Sequence, residues 1–376
     1  MVGKTKRHAI PFICFCLLIL SSLGAAVNPV ISMDLLPTVV YMAKTDKWQE
    51  LMNADLSVSL ASKREGNVRG EVVLKGNTLA SVTSFDNVVY KAYFKARFPS
   101  FRLTAGKTRL SWGDGMLFNA GDVLYGSNST SVSLTQAELR STTDWLASVN
   151  YPLGFFSFAE AVVMPSETGT PIDMLFGARY YTTVKDLKVE IGYASKNPTT
   201  TVRQHKPYIS LQGNLGFDWY LSSSVAIPVA GDIAQESSKS WMISAGIFHL
   251  VSLPQDRTLT LRLELLTRPF GTWETGPVAD GTAAILLYPE LVLSYSPSLS
   301  FSLRSIISPL DLSAMSTLGM SWNIFDAFNL IGSISLATGD EGDLFAWVTT
   351  DPTDLTSSDP TKPPSFSAFI GSSWVF

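Results

Sequence analysis

Apolar and polar side chains alternate with a period of two along most of this chain. Between Asn87 and Phe98, the residues Val88, Tyr90, Ala92, Phe94, Ala96 and Phe98 fall on one face, and Asn87, Val89, Lys91, Tyr93, Lys95 and Arg97 on the other. Thr258–Arg268 repeats the pattern, with Leu259, Leu261, Leu263 and Leu265 opposite Thr260, Arg262 and Glu264. Leu187, Val189, Ile191 and Tyr193 alternate with Lys188, Glu190 and Gly192, and Leu299, Phe301 and Leu303 with Ser300, Ser302 and Arg304. Successive side chains of a strand point to opposite faces, so each stretch predicts a strand with one apolar and one polar face. The helical period is hard to find. A soluble β-sandwich would show the same alternation, which by itself leaves the fold open.

The lengths of the connections discriminate better. From Trp145 onward, short turns near Leu153–Gly154, Lys185–Asp186, Asn214–Gly216, Pro254–Arg257, Pro297–Ser298 and Asp326–Phe328 interleave with longer connections. The longer ones are Pro165–Asp173, Lys196–Lys206, Ala230–Lys239, Pro269–Gly281 and Gly339–Pro364, with the short Pro309–Leu312 tip as an exception. A sandwich has no reason to sort its loops by parity, whereas a transmembrane barrel has tight turns at one end and long loops at the other. The pattern predicts an all-β, antiparallel, up-and-down transmembrane β-barrel of about sixteen strands, within a range of 14–18. Asp55–Ser62 and, more weakly, Pro37–Ala43 also read as strands. With sixteen strands, residues 27–52 form a periplasmic N-terminal segment and 53–376 the barrel.

The N-terminus supplies the compartment. Lys4, Lys6 and Arg7 precede an apolar run from Ala9 to Leu23, broken only by Ser21 and Ser22, and small residues follow at Gly24, Ala25 and Ala26. That order is the secretory signal pattern, with residues 1–26 as the signal peptide. Its removal takes three bases and no acids, leaving 25 bases against 32 acids and moving the formal charge from −4 to −7. No basic balance points to nucleic acid. Both cysteines, Cys14 and Cys16, leave with the peptide, which excludes disulfides, thiol nucleophiles and cysteine metal sites from the mature chain. The mature chain is unusually apolar for a soluble protein, yet no second apolar run is long enough for a spanning helix. A lipid-facing barrel explains both facts, since half of every strand faces hydrocarbon.

The chain ends Phe366-Ser-Ala-Phe-Ile-Gly-Ser-Ser-Trp-Val-Phe376, with Phe366, Ala368, Ile370, Trp374 and Phe376 on one face. This ending resembles the C-terminal strand signal of bacterial outer-membrane proteins, in which Gly371, Trp374 and the terminal Phe376 occupy the marked positions. Phe369 stands where that signal usually has a polar residue. The resemblance implies recognition by the barrel-assembly machinery and insertion into the lipid of the outer membrane.

Little in the sequence supports catalysis. Apart from His8, only His205 and His249 are present, and neither has a Ser or Asp partner at motif spacing. Two unclustered histidines support no metal site. Gly113-Asp-Gly115 is too short for a dinucleotide fingerprint. The expectation is a protein without enzyme activity and without a cofactor.

The most distinctive segment runs Gly106-Lys-Thr-Arg-Leu-Ser-Trp-Gly-Asp-Gly-Met-Leu-Phe-Asn-Ala-Gly-Asp122. It is similar to a motif shared by porin-like and export-type outer-membrane barrels, including alginate-export-like channels. Gly106, Lys107, Arg109, Trp112, Gly113, Phe118, Asn119 and Asp122 match it, while Ala120 stands in place of the usual Pro. The resemblance implies a channel class, not a substrate. About 30 residues separate Trp112 from the next strand at Trp145. A loop of that length is functional or disordered. This one carries enough apolar residues to pack, so loop 111–144 is the candidate constriction, with Trp112, Asp114, Phe118, Asn119 and Asp122 as its candidate residues.

Energy orients the charged faces. Lys or Arg facing lipid at mid-depth costs roughly 2–4 kcal/mol each. Lys91, Lys95 and Arg97 therefore face the lumen, as do Lys107, Arg109, Arg179, Arg262 and Arg304, opposed by Glu190, Glu264 and Glu290. A mixed-charge, hydroxyl-rich wall suits passive diffusion of small polar solutes, although such charges can also simply pair with one another. The alternatives are a barrel that displays loops as an adhesin or antigen, and a transporter of hydrophobic substrates, which would want an apolar lumen. An outer-membrane lipase is disfavoured by the histidine count.

Overall fold

The computed structural model describes residues 27–42, 47–62, 66–77, 88–127, 134, 139–165, 173–196, 202–275, 283–340, 343–345 and 366–376. The signal segment 1–26 lies outside them. The first six strands are β1 (Val27–Met42), β2 (Lys47–Ser62), β3 (Val68–Asn77), β4 (Val89–Arg97), β5 (Arg102–Thr108) and β6 (Asp144–Pro152). Next come β7 (Ser157–Met164), β8 (Leu175–Val184), β9 (Leu187–Lys196), β10 (Gln204–Asn214), β11 (Asp218–Ser224) and β12 (Ile227–Pro228). The last seven are β13 (Met242–Leu253), β14 (Arg257–Thr267), β15 (Ile285–Ser296), β16 (Leu299–Ser308), β17 (Ser313–Phe325), β18 (Phe328–Thr338) and β19 (Phe366–Val375).

Each strand pairs antiparallel with its sequence neighbours, and β1 pairs with β19 from Ser32↔Val375 to Tyr41↔Phe366, which closes the sheet. The two-residue β12 only prolongs the ladder on β10, so β11 pairs directly with β13 and eighteen strands form the wall. Closure leaves no sheet edge, the condition for strands to cross hydrocarbon. The fold is the predicted antiparallel barrel, at the upper end of the expected strand range.

The two extra strands are those read at Asp55–Ser62 and, more weakly, at Pro37–Ala43, and they reach into the segment expected to be periplasmic. Residues 27–42 are β1 and residues 47–52 open β2, paired with each other from Val27↔Ser62 to Met42↔Lys47. The consecutive Leu35, Leu36 and Pro37 interrupt the alternation there. The strand assignment rests instead on the need to close the barrel against β19.

The alternating faces sort as the energy argument requires. Ile191, Ile209, Ile247, Leu263, Leu318 and Ile370 all lie exposed on the outer face. So much contiguous exposed apolar surface suits lipid, not water. Exposed aromatics ring both ends of this band. Trp48, Trp145, Phe176 and Trp241 mark the end with the long loops, and Tyr151, Tyr295, Trp322 and Trp374 the end with the short turns. Paired girdles of this kind belong to the two membrane interfaces. At the short-turn end, Lys185, Gln255, Asp256 and Ala327 take positive φ, the backbone that tight hairpins require. A short helix, α1 (Ile233–Ser240), sits in one long connection where no helical pattern was read; Asp232 caps it by accepting from the Gln235 N–H at 3.1 Å.

Candidate functional site

The connection between β5 and β6 does not stand over the rim. Its first half turns inward and lies against the inner face of the wall. The turn begins at Gly113 (φ 65°) and Gly115 (φ 135°), conformations open to glycine. A Cβ at Gly113 would lie 2.7 Å from Gly121 Cα, so the two ends of the motif touch through glycine. Inside that turn the Asn119 side-chain amide donates to the Trp112 carbonyl at 2.9 Å. The buried Asp122 accepts from Arg109 at 2.5 Å and also from Arg140, tying the start of the loop to its end.

Wall carboxylates seat this knot. The Trp112 indole N–H donates to Glu160 at 3.1 Å, and the Gly113 N–H to Glu190 at 2.8 Å. Glu264 accepts three consecutive backbone N–H groups, from Met116 at 2.7 Å and from Leu117 and Phe118 at 2.9 Å. The Ala120 N–H donates to Ser244 Oγ at 2.8 Å. A proline, which the related motif has at this position, could not make that bond. The departure from the motif is therefore a wall contact of this chain.

Arginines on the same wall neutralise the same carboxylates. Arg179 bridges Glu160 at 2.8 Å and Glu190 at 3.1 Å, and also donates to the Ser111 carbonyl. Glu290 takes Arg262 at 3.0 Å and Arg304 at 2.8 Å, while Arg262 reaches Glu264 at 3.4 Å. Arg304 also donates to the Leu134 carbonyl of the loop at 3.0 Å. Glycines in the wall make room for the aromatic rings. A Cβ at Gly177 would lie 2.7 Å from Trp112 Cη2, and Cβ atoms at Gly192 and Gly246 would collide with Tyr208 and Tyr220. Tyr208 in turn donates to Glu190 at 2.5 Å, and Tyr220 to the Phe118 carbonyl at 3.1 Å.

Two apolar clusters complete the seat. Trp112, Val123 and Leu124 pack on Val162, Leu175 and Tyr208. Leu117, Phe118, Leu134 and Leu139 pack on Leu266, Leu286, Tyr288 and Ile306. Leu344 and Phe345, from the connection after β18, enter this second cluster, held by Asp311 and Ser313. The lumen on the β7–β17 side thus contains a packed interior like that of a soluble domain.

This packing redistributes the residues expected to line a pore. Arg179, Glu190, Arg262, Glu264 and Arg304 do face inward, but they are paired beneath the loop, and Glu264 has no exposed surface. Trp112, Phe118, Asn119 and Asp122 are likewise buried, so they anchor the loop and present nothing to a solute. Asp114 is half-buried and accepts from Ser210 at 3.2 Å. Arg109 serves the Asp122 knot and lies over the Tyr125 ring, and Lys107 is buried. Sequence reasoning overlooked Glu160, Ser244 and Arg140. Glu160 was within its reach, being a lone charge amid the apolar residues of β7.

The opposite wall is different. Lys91, Lys95 and Arg97 share the inner parity of β4 with Tyr93, and a bulge at Tyr90 sets Val73 opposite Lys91 but Leu74 opposite Val89. Arg97 lies directly across from Arg102. Among the described residues none of Lys91, Lys95, Arg97 and Arg102 has a carboxylate within ion-pair distance. Tyr rings accompany the lysines: Lys95 Nζ lies 5.2 Å from the Tyr93 centroid, and Lys75 and Lys91 lie 3.4 and 5.5 Å from that of Tyr90. At the seam, Trp374 and Phe376 sit on the outer face. Phe376 exchanges backbone hydrogen bonds with Ile31, and Gly371 lets the β1 backbone approach at Leu35 and Leu36. No group of three or more potential metal ligands exists among the described residues.

No protein-family model matches the sequence, and no curated protein matches it either. Solved structures do. The barrel of OccAB3 from Acinetobacter baumannii superposes with a TM-score of 0.55 at 10% identity, over 93% of this chain and 99% of that one. A triple mutant of the Rhodopseudomonas blastica porin gives a TM-score of 0.50 at 7% identity, over 93% and 100%. At such identities the likeness is one of fold: the chain has a porin-like barrel.

Proposed function

We propose that this porin-like barrel resides in a bacterial outer membrane and acts, without catalysis, as a passive channel for small polar solutes that favours anions. The observation that carries the reading is the partition of charge inside the barrel. Under the inserted loop Arg109, Arg140, Arg179, Arg262 and Arg304 are each matched to a carboxylate. On the β4–β5 wall, Lys91, Lys95, Arg97 and Arg102 are not. The solute path runs between the loop and this wall, where low-dielectric surroundings strengthen the field of the unpaired bases. The aromatic girdles and the closed sheet support the membrane location, and the charged inner wall argues against hydrophobic cargo.

Planar-bilayer recording of the refolded mature chain tests this. Under a salt gradient the reversal potential is expected on the anion-selective side. Replacing Lys91, Lys95 and Arg97 together with Glu should move it toward cations. An unchanged reversal potential would remove these residues from the conducting path. A folded barrel with no conductance at all would favour a scaffold that displays its loops.

A further inference from the structure

A second pair of bases stands apart from both the loop network and the β4–β5 wall. Lys196 ends β9 and Lys206 lies near the start of β10, at the long-loop end of the barrel. The register pairs Lys196 with Gln204 and Lys206 with Ala194, which makes the lysines diagonal neighbours on adjacent strands. Both fall on the inner parity, Lys206 with Tyr208 and Ser210, and Lys196 with Ala194 and Glu190. Two residues deeper, Tyr208 and Ala194 are buried in the cluster that holds Trp112, Val123 and Leu124. Lys206, half-buried, and Lys196, exposed, thus stand one step along the inner face from that cluster, toward the long-loop end.

Neither lysine has a hydrogen-bond acceptor or a carboxylate partner among the described residues. That sets them apart from Arg109, Arg140, Arg179, Arg262 and Arg304, which are paired with carboxylates, and from the neighbouring Arg203, which donates to Ser195 Oγ and the Met174 carbonyl. Diagonal cross-strand neighbours are spaced by roughly 7–8 Å along the sheet, within reach of long side chains, and two ammonium groups so placed repel one another when nothing lies between them. An anion of two charges placed between them turns that repulsion into attraction on both sides. Ammonium groups act as point charges with rotatable donors, suited to a tetrahedral oxyanion rather than to planar bidentate recognition.

We propose that Lys196 and Lys206 form an oxyanion station at the outer mouth of the lumen, which takes a dianionic group such as phosphate or a phosphate monoester. Its place as the first stop on an anion path rests on the channel reading above; the binding itself does not. The station collects anions at the mouth on the β9–β10 stretch of the wall, apart from the unpaired bases of β4 and β5.

The test uses the refolded chain in maltoside micelles free of phospholipid, with inorganic phosphate as the probe. Phosphorus NMR line broadening should report binding to the wild type. The double variant Lys196→Gln/Lys206→Gln should bind at least about tenfold more weakly, a change of about 1.4 kcal/mol. Lys188→Gln, at the opposite end of the barrel, should bind as the wild type does. Heat-modifiable migration checks that each variant is folded. Wild-type binding unchanged in the double variant, or no binding to the wild type, overturns the station. In bilayers, phosphate added on the long-loop side should reduce the chloride current of the wild type, and the double variant should need about tenfold more. Lysine-dependent binding in micelles without any bilayer conductance would keep the station and reject the channel. Binding that appears only when anionic lipid replaces free phosphate would reassign the pair to a lipid headgroup and overturn the proposal.

Discussion

Glu264→Gln offers the sharpest perturbation of the inserted loop. The carboxylate has no exposed surface and accepts from the backbone N–H groups of Met116, Leu117 and Phe118 at 2.7–2.9 Å. A hydrogen bond to a charged acceptor is worth roughly 1.5–3 kcal/mol, and one between neutral groups roughly half that. The amide has a single acceptor oxygen, which can keep two of the three donors at most, and its NH2 group faces the third. The local seat should weaken by roughly 2–4 kcal/mol. At the lower figure the population in which residues 116–118 leave the wall rises about thirtyfold. The apolar cluster around Phe118 and Tyr288 and the Asp122 knot remain, so the barrel should survive with its loop loosened rather than lost. Single-channel recording should then show added substates and a noisier open level, while the heat-modifiable band stays intact. A variant with wild-type conductance and wild-type noise would mean that this carboxylate does not hold the loop, and the assignment of the seat would fail.

Three further outcomes follow from the same geometry. Deleting Gly121–Ser141 should raise single-channel conductance, because that segment carries Leu134 and Leu139 into the lumen; unchanged conductance would place the loop outside the path. Gly177→Ala puts a methyl 2.7 Å from Trp112 Cη2, and such overpacking typically costs roughly 1–3 kcal/mol. A shift in tryptophan emission together with earlier heat-induced unfolding should report it, and identical melting would show that the ring can move aside. Removing Phe376 deletes its two backbone bonds to Ile31 at the closing seam, so assembly into the outer membrane should slow. An equal yield of folded protein from the truncated chain would argue against an assembly role.

Side-chain orientation was legible in the sequence because it is a local property. The alternation of Arg262, Glu264 and their neighbours fixes which of them face inward, and the cost of a charge in lipid fixes the sign of that face. The anomalous length of the connection after β5 was legible for the same reason, as was its content of apolar residues. Where the loop lands was not. The bonds between Glu264 and residues 116–118 join positions nearly 150 apart in the chain, and no periodicity records such a pairing. Identical inward-facing patterns therefore have opposite fates. On β14 the charges disappear beneath the backbone N–H groups of the loop, while on β4 the same alternation leaves Lys91, Lys95 and Arg97 uncovered. The two N-terminal strands, only partly legible, show the converse. Leu35, Leu36 and Pro37 break the local pattern of β1, and only the requirement that eighteen strands leave no unpaired edge makes that segment a strand. Ala120 combines both cases. It reads as a defect against the motif it resembles, and it becomes intelligible only beside Ser244, whose hydroxyl accepts the one N–H that a proline would have removed.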